Sequence, residues 1–189
     1  MTIGGWIALG IVGFFVLVLL IWVVGVYNSL IRLRNNIEES FSTMDVFMKK
    51  RYDLIPNLVE TVKGYKFHEQ DTLMAIVNAR NSAIAAPDRK ARAKAESEVS
   101  GALRQLFALA ENYPDLKANT NFLELQSQLQ TMETEISNSR RYYNATVKEY
   151  NTKIQVFPNN FVAGWFKFER KEFFEIENKK ERENVKVEF

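Results

Sequence analysis

The side chains best equipped for chemistry gather in one stretch. Arg51, Asp53, Asn57, Glu60, His68, Glu69 and Arg80 all fall within residues 51–80. Carboxylates beside an imidazole are the parts of a general acid/base pair or a metal site. The spacing argues against both. His68-Glu69 begins like the HExxH zinc motif, which needs a second His four residues after the first; that position is Thr72, and His68 is the sole histidine. A carboxylate metal site in a four-helix bundle draws Glu-x-x-His pairs from facing helices, and one His cannot supply two. The absence of Cys removes thiolate ligands, disulfides and a Cys nucleophile. No catalytic residue, metal site or cofactor is therefore assigned. The seven residues read best as an ion-pair and hydrogen-bond cluster setting helix register where the first two helices meet, and next best as a partner-docking surface. A hydrolase, metal-dependent or not, using Asp53, Glu60, His68 and Glu69 is the alternative. A sensor working through His68 protonation or a kink at Pro56 is a third reading.

The elements that position this stretch start with an apolar run. Residues 3–27 carry no charge, and the first charged side chain is Arg32. A helix of about 20 apolar residues crosses a bilayer core of roughly 30 Å, so the run predicts a transmembrane anchor. It is too long for a secretory signal and lacks that signal's basic start and small-residue cleavage site. Trp6, Trp22 and Tyr27 lie near its ends, where amphipathic rings suit headgroups. Lys and Arg lie only downstream, at Arg32 and Arg34 and then Lys49, Lys50 and Arg51. The positive-inside rule then predicts a single-pass protein of the inner or plasma membrane, its N-terminus outside and its soluble part cytoplasmic.

The soluble part reads as all-α. Apolar side chains recur every three or four residues at Leu30, Leu33, Ile37, Phe41, Met44, Met48, Ile55, Leu58 and Val62, with Arg51 on the same seam. No Gly or Pro separates this stripe from the anchor, so one helix continues from the other. Pro56 predicts a kink near Tyr52 and Asp53, or else a break with Asp53 capping a new helix. Shorter helices are expected over 69–86 and 88–111, and a loop over 117–120. Residues 121–154 carry a near-heptad, coiled-coil-like seam through Phe122, Leu125, Leu129, Met132, Ile136, Tyr143, Val147, Tyr150 and Ile154. Two long helices with two shorter ones between them predict an antiparallel, four-helix-type bundle. The expected division is an anchor over 1–27, a helical domain over 28–158, and an aromatic segment with a charged tail over 159–189.

In that topology the last long helix returns toward the membrane and delivers Phe161, Trp165, Phe166 and Phe168, an aromatic set expected at the membrane interface or capping the core. The lipid bilayer is thus one expected partner. A second copy of the chain or a partner membrane protein is the other, met by the exposed part of the stripe at Met44 and Met48 or by the aromatic segment. Twenty-five basic against 23 acidic residues leave a net charge of +2, which gives no sign of a nucleic-acid partner.

The order of certain motifs resembles the LemA family of bacterial membrane-anchored proteins. They are Tyr27-Asn28, Leu33-Arg34-Asn35, RYDLIPNLVETVKGY over 51–65, His68-Glu69, Thr72-Leu73, Ala79-Arg80, YNATVKEYNTKIQVFP over 143–158, and Phe173-Phe174. Ser40-Phe41-Ser42 departs from the Ala-Trp-Ser expected of the family. The resemblance implies a helical-bundle domain behind one N-terminal anchor in the bacterial cell envelope. It implies no reaction. The function expected is therefore a membrane-anchored scaffold or adaptor without catalytic activity.

Overall fold

The computed structural model describes residues 3–65 and 69–175. They form six helices, α1 (Ile3–Lys63), α2 (Gln70–Ile84), α3 (Arg89–Ala110), α4 (Pro114–Lys117), α5 (Thr120–Gln155) and α6 (Asn159–Trp165). Among the described residues there is no strand. The expected helix ends hold to within two residues. The expected loop before α5 is partly taken up by the single turn of α4, begun by Pro114, whose missing N–H costs nothing in a first turn. Asp88 caps α3 by accepting from the Ala91 amide at 2.7 Å. Asn119 does the same for the Phe122 amide at the start of α5, at 2.9 Å.

α1 is a single helix of 61 residues, unbroken at Pro56. The alternative of a new helix starting at Asp53 is thereby removed. Its beginning is long and apolar enough to cross a membrane, and its most apolar 18-residue window has no buried residue. From Val26 onward the same helix turns a buried face inward.

The chain divides into two compact units. The first comprises residues 3–41 with Tyr142–Phe173. There α1 and α5 run antiparallel: Phe41 meets Tyr143 with ring centroids 5.9 Å apart, Ser40 bonds Thr146 at 3.2 Å, and Ser29 accepts from Lys153 at 2.7 Å. Leu30, Leu33 and Ile37 are buried, as are Val147, Tyr150 and Ile154. After α6 the chain turns at Lys167, whose φ of 54° lies in the left-handed region, and continues without helix through Glu175.

The second unit comprises Ser42–Arg141 with Phe174 and Glu175. Asp45 pairs with Arg92 and Arg51 bonds Ser100, so α1 and α3 run in the same sense. Ser100 bonds Glu133 and Phe107 meets Phe122, so α5 opposes α3. The core holds Met44, Met48, Ile55, Leu58, Ile76, Val99, Leu106 and Leu129. Met44 and Met48 are fully buried, which corrects the expectation that their stripe is open to a partner. A thioether chain fills irregular gaps well, and both are spent on the core.

Candidate functional site

A charged seam position in an amphipathic helix must find a partner or destabilise the core. Arg51 finds two. Its guanidinium is completely buried and pairs with Glu96 of α3 and Glu133 of α5. It also donates to Ser100 Oγ at 2.9 Å, and Ser100 donates to Glu133 at 2.8 Å. Glu96 is 2% exposed and takes a second donor, the Tyr52 hydroxyl. Among the described residues, only Arg51 Nε is a buried side-chain nitrogen or oxygen without a partner.

The electrostatics follow from burial. Loss of water raises the Glu96 pKa above the ordinary carboxylate value, against the pull of Arg51 and the Tyr52 hydrogen bond. Burial and the adjacent Glu96 charge push the Tyr52 phenol up as well, so it remains a donor. Glu133 is half exposed and keeps access to water. One guanidinium thus serves two carboxylates in unlike surroundings.

Arg80 solves a different problem. Proline has no N–H, so Pro56 leaves the carbonyl four residues earlier without its helical donor. That carbonyl belongs to Tyr52, which is buried, and Arg80 Nε donates to it at 2.8 Å. The helix therefore passes through Pro56 without an orphaned acceptor. Arg80→Met is expected to cost about 1–3 kcal/mol, the range for stranding a buried polar group. In a Pro56→Ala background, where the helical amide is restored, the cost should fall by at least half. Chemical unfolding of the parent chain and the three variants measures this, and equal costs in both backgrounds would show that Arg80 does not serve the proline gap.

Of the other sequence-predicted residues, those that the structure describes do not join this centre. Asp53 is exposed and pairs with Lys49 at 3.2 Å. Glu60 is exposed and pairs with Lys63 at 3.0 Å. Asn57 and Glu69 are exposed, and His68 lies outside the described residues. The expected seven-residue cluster is therefore corrected. Arg51 faces inward on α1 and Arg80 reaches α1 from α2, while Asp53, Asn57 and Glu60 occupy the solvated side of α1 opposite Arg51. The partners missed by sequence reasoning are Glu96, Glu133, Ser100 and Tyr52. One signal was available: Glu96 stands in step with Val99, Leu103 and Leu106, a charge on an apolar seam like Arg51.

Beside the network lies a cavity of about 420 Å³ whose lining includes Glu96, Glu133, Arg140, Arg141 and Phe174. Both signs of charge line it, and its two carboxylates are already paired with Arg51. Among the described residues, no cluster of three or more Asp, Glu or His side chains is arranged to hold a metal ion.

A second polar site holds the chain after α6. Tyr143 donates its hydroxyl to the Glu172 carbonyl and Tyr150 to that of Glu169, each at 3.0 Å. Asn151 binds the backbone of Lys171 on both sides, accepting from its amide at 2.9 Å and donating to its carbonyl at 2.8 Å. Burial raises the Tyr150 pKa, which keeps its proton in place. The Tyr-Asn repeat, read from sequence as seam residues with polar neighbours, thus clasps backbone.

Residues 40–189 match the profile of the LemA family. The chain belongs to the LemA family. It is 28% identical to Protein LemA of Metamycoplasma hominis over 163 residues, covering 82% of this chain and 74% of that one. It is 23% identical to Magnetosome protein MamQ 2 of Paramagnetospirillum magneticum over 175 residues. It is also 22% identical to Magnetosome protein MamQ of Magnetospirillum gryphiswaldense over 174 residues. These two alignments cover 79% and 78% of this chain but 64% of each magnetosome protein, less than two-thirds of their length. None of these names specifies a reaction. The motifs behind the family resemblance include Arg51, Tyr52 and Arg80, and Tyr143, Tyr150 and Asn151 of the second site, while Glu96, Ser100 and Glu133 lie outside them.

Proposed function

We propose that this LemA-family chain is a single-pass, membrane-anchored helical scaffold or adaptor without catalytic activity. Its soluble part forms an antiparallel bundle that binds a partner membrane protein or a second copy in the cell envelope. The observation that carries the reading is α1 itself. One helix supplies an exposed apolar span and then, without interruption, buried residues of a packed core. Opposed α5 and parallel α3 support the bundle, and Arg32 and Arg34 just beyond the span support a cytoplasmic soluble part. The hydrolase reading has no such support. Asp53 and Glu60 are occupied in surface ion pairs and Glu69 is exposed.

The full chain is expected to stay in the membrane pellet through alkaline carbonate and to leave it with detergent. A chain lacking residues 1–27 should move to the soluble fraction. Release of the full chain by carbonate alone would overturn the anchor. Crosslinking in native membranes should then yield a discrete product, either a chain dimer or an adduct with one membrane protein. Absence of any product across several crosslinker lengths would count against the scaffold.

A further inference from the structure

We infer that α6 and the residues beside it form a second membrane contact, an aromatic foot seated in the headgroup zone of the bilayer that α1 crosses. The inference rests on the anchor reading above and adds to it a surface and a ligand, the lipid interface. Three observations carry it. First, Phe157, Phe161 and Trp165 fall four residues apart and stand 78%, 67% and 85% exposed. Large rings so placed in water are a marked apolar patch for a chain of this size. Second, the remaining aromatic residues are tied down. Phe166 and Phe168 pack on Tyr27, with ring centroids 4.7 and 5.7 Å away, while Val162 and Ala163 face the core. Third, Tyr27 closes the apolar run. Residues 3–27 as a helix span about 37 Å, against a hydrocarbon core of roughly 30 Å. Tyr27 therefore sits at the level where hydrocarbon gives way to headgroups, and its contacts hold the exposed rings beside that level.

The chemistry of the patch fits that zone. Trp and Phe rings are favoured where one side is apolar and the other wet. Lys167 and Arg170 are exposed beside the rings, but so are Glu169 and Glu172. The charges nearly cancel, so the contact depends on ring burial and does not require anionic lipid.

The test uses the full chain in phosphatidylcholine vesicles carrying nitroxide quenchers at headgroup or mid-chain depth. Trp6→Phe with Trp22→Phe leaves Trp165 as the only indole, since the chain has three Trp. Trp6→Phe with Trp165→Phe leaves Trp22, which reports the anchor. Trp165 should be quenched more strongly by the headgroup probe than by the mid-chain probe and be shielded from acrylamide. Quenching of Trp22 without quenching of Trp165 would overturn the foot and leave the anchor standing. Lack of quenching at Trp22 would overturn the anchor and the foot with it. Shielding of Trp165 from acrylamide without lipid quenching would mean that protein covers the patch, and would also overturn the proposal.

Discussion

Arg51→Met is expected to destabilise the chain by about 3–5 kcal/mol, the usual cost of removing one partner from a buried ion pair. The side chains are of similar length, so the effect is electrostatic more than volumetric. Without the guanidinium, Glu96 keeps the Tyr52 hydroxyl and loses its only cation pair among the described residues, at 2% exposure. The sign with pH is definite. The folded-state pKa of Glu96, already raised by burial, rises further once Arg51 is gone, above the unfolded value of about 4.3. A carboxyl raised on folding penalises the fold at high pH, and the penalty disappears as pH falls below the unfolded value. The deficit of Arg51→Met should therefore shrink on acidification and be smaller at every pH in a Glu96→Gln background. Urea titration of the full chain in detergent, followed by helical circular dichroism, measures both. A pH-independent deficit, unchanged by Glu96→Gln, would show that Arg51 acts through packing alone. Arg51→Lys should recover only part of the loss, because an ammonium cannot fork to two carboxylates.

Asn151→Ala is the second large effect. The amide of Asn151 satisfies both backbone groups of Lys171 from a residue 4% exposed. Its loss should cost about 1–3 kcal/mol locally. If opening of this segment limits amide exchange, protection of residues 169–173 falls by about 5–150-fold. Tyr150→Phe removes one hydroxyl bond and leaves the ring in place, so its effect should be smaller, about 0.5–1.5 kcal/mol. Unchanged exchange in both variants would mean that ring packing, and not these bonds, holds the segment.

The helices were largely legible in the sequence because period and punctuation agree. The stripe from Leu30 to Val62 and the seam from Phe122 to Ile154 turn from sequence patterns into buried faces with few exceptions. Pro56 misleads at short range. The rule that Pro costs a helix its donor is local, and the compensation comes from Arg80, in another helix. The polar centre was half legible for the same reason. Arg51 declares itself by standing on an apolar seam, but nothing local says whether its partner is Asp53 two residues on or Glu96 in another helix. Proximity in sequence favoured the wrong carboxylates, since residues two apart on a helix point to different sides. The clasp at Tyr143, Tyr150 and Asn151 was not legible as such. Its partners are backbone groups of residues 169, 171 and 172, three carbonyls and one amide, and backbone leaves no mark in a sequence.

The division into units carries a consequence for how the chain is made. The second unit is built almost wholly from consecutive residues, 42–141, whereas the first joins residues 3–41 to residues 142–173. At roughly 5–20 residues per second, the halves of the first unit leave the ribosome about 5–20 s apart. The first 41 residues must wait through that interval with Leu30, Leu33 and Ile37 unpaired. Within the first unit, the clasp on residues 169–172 can close only after both halves have been made.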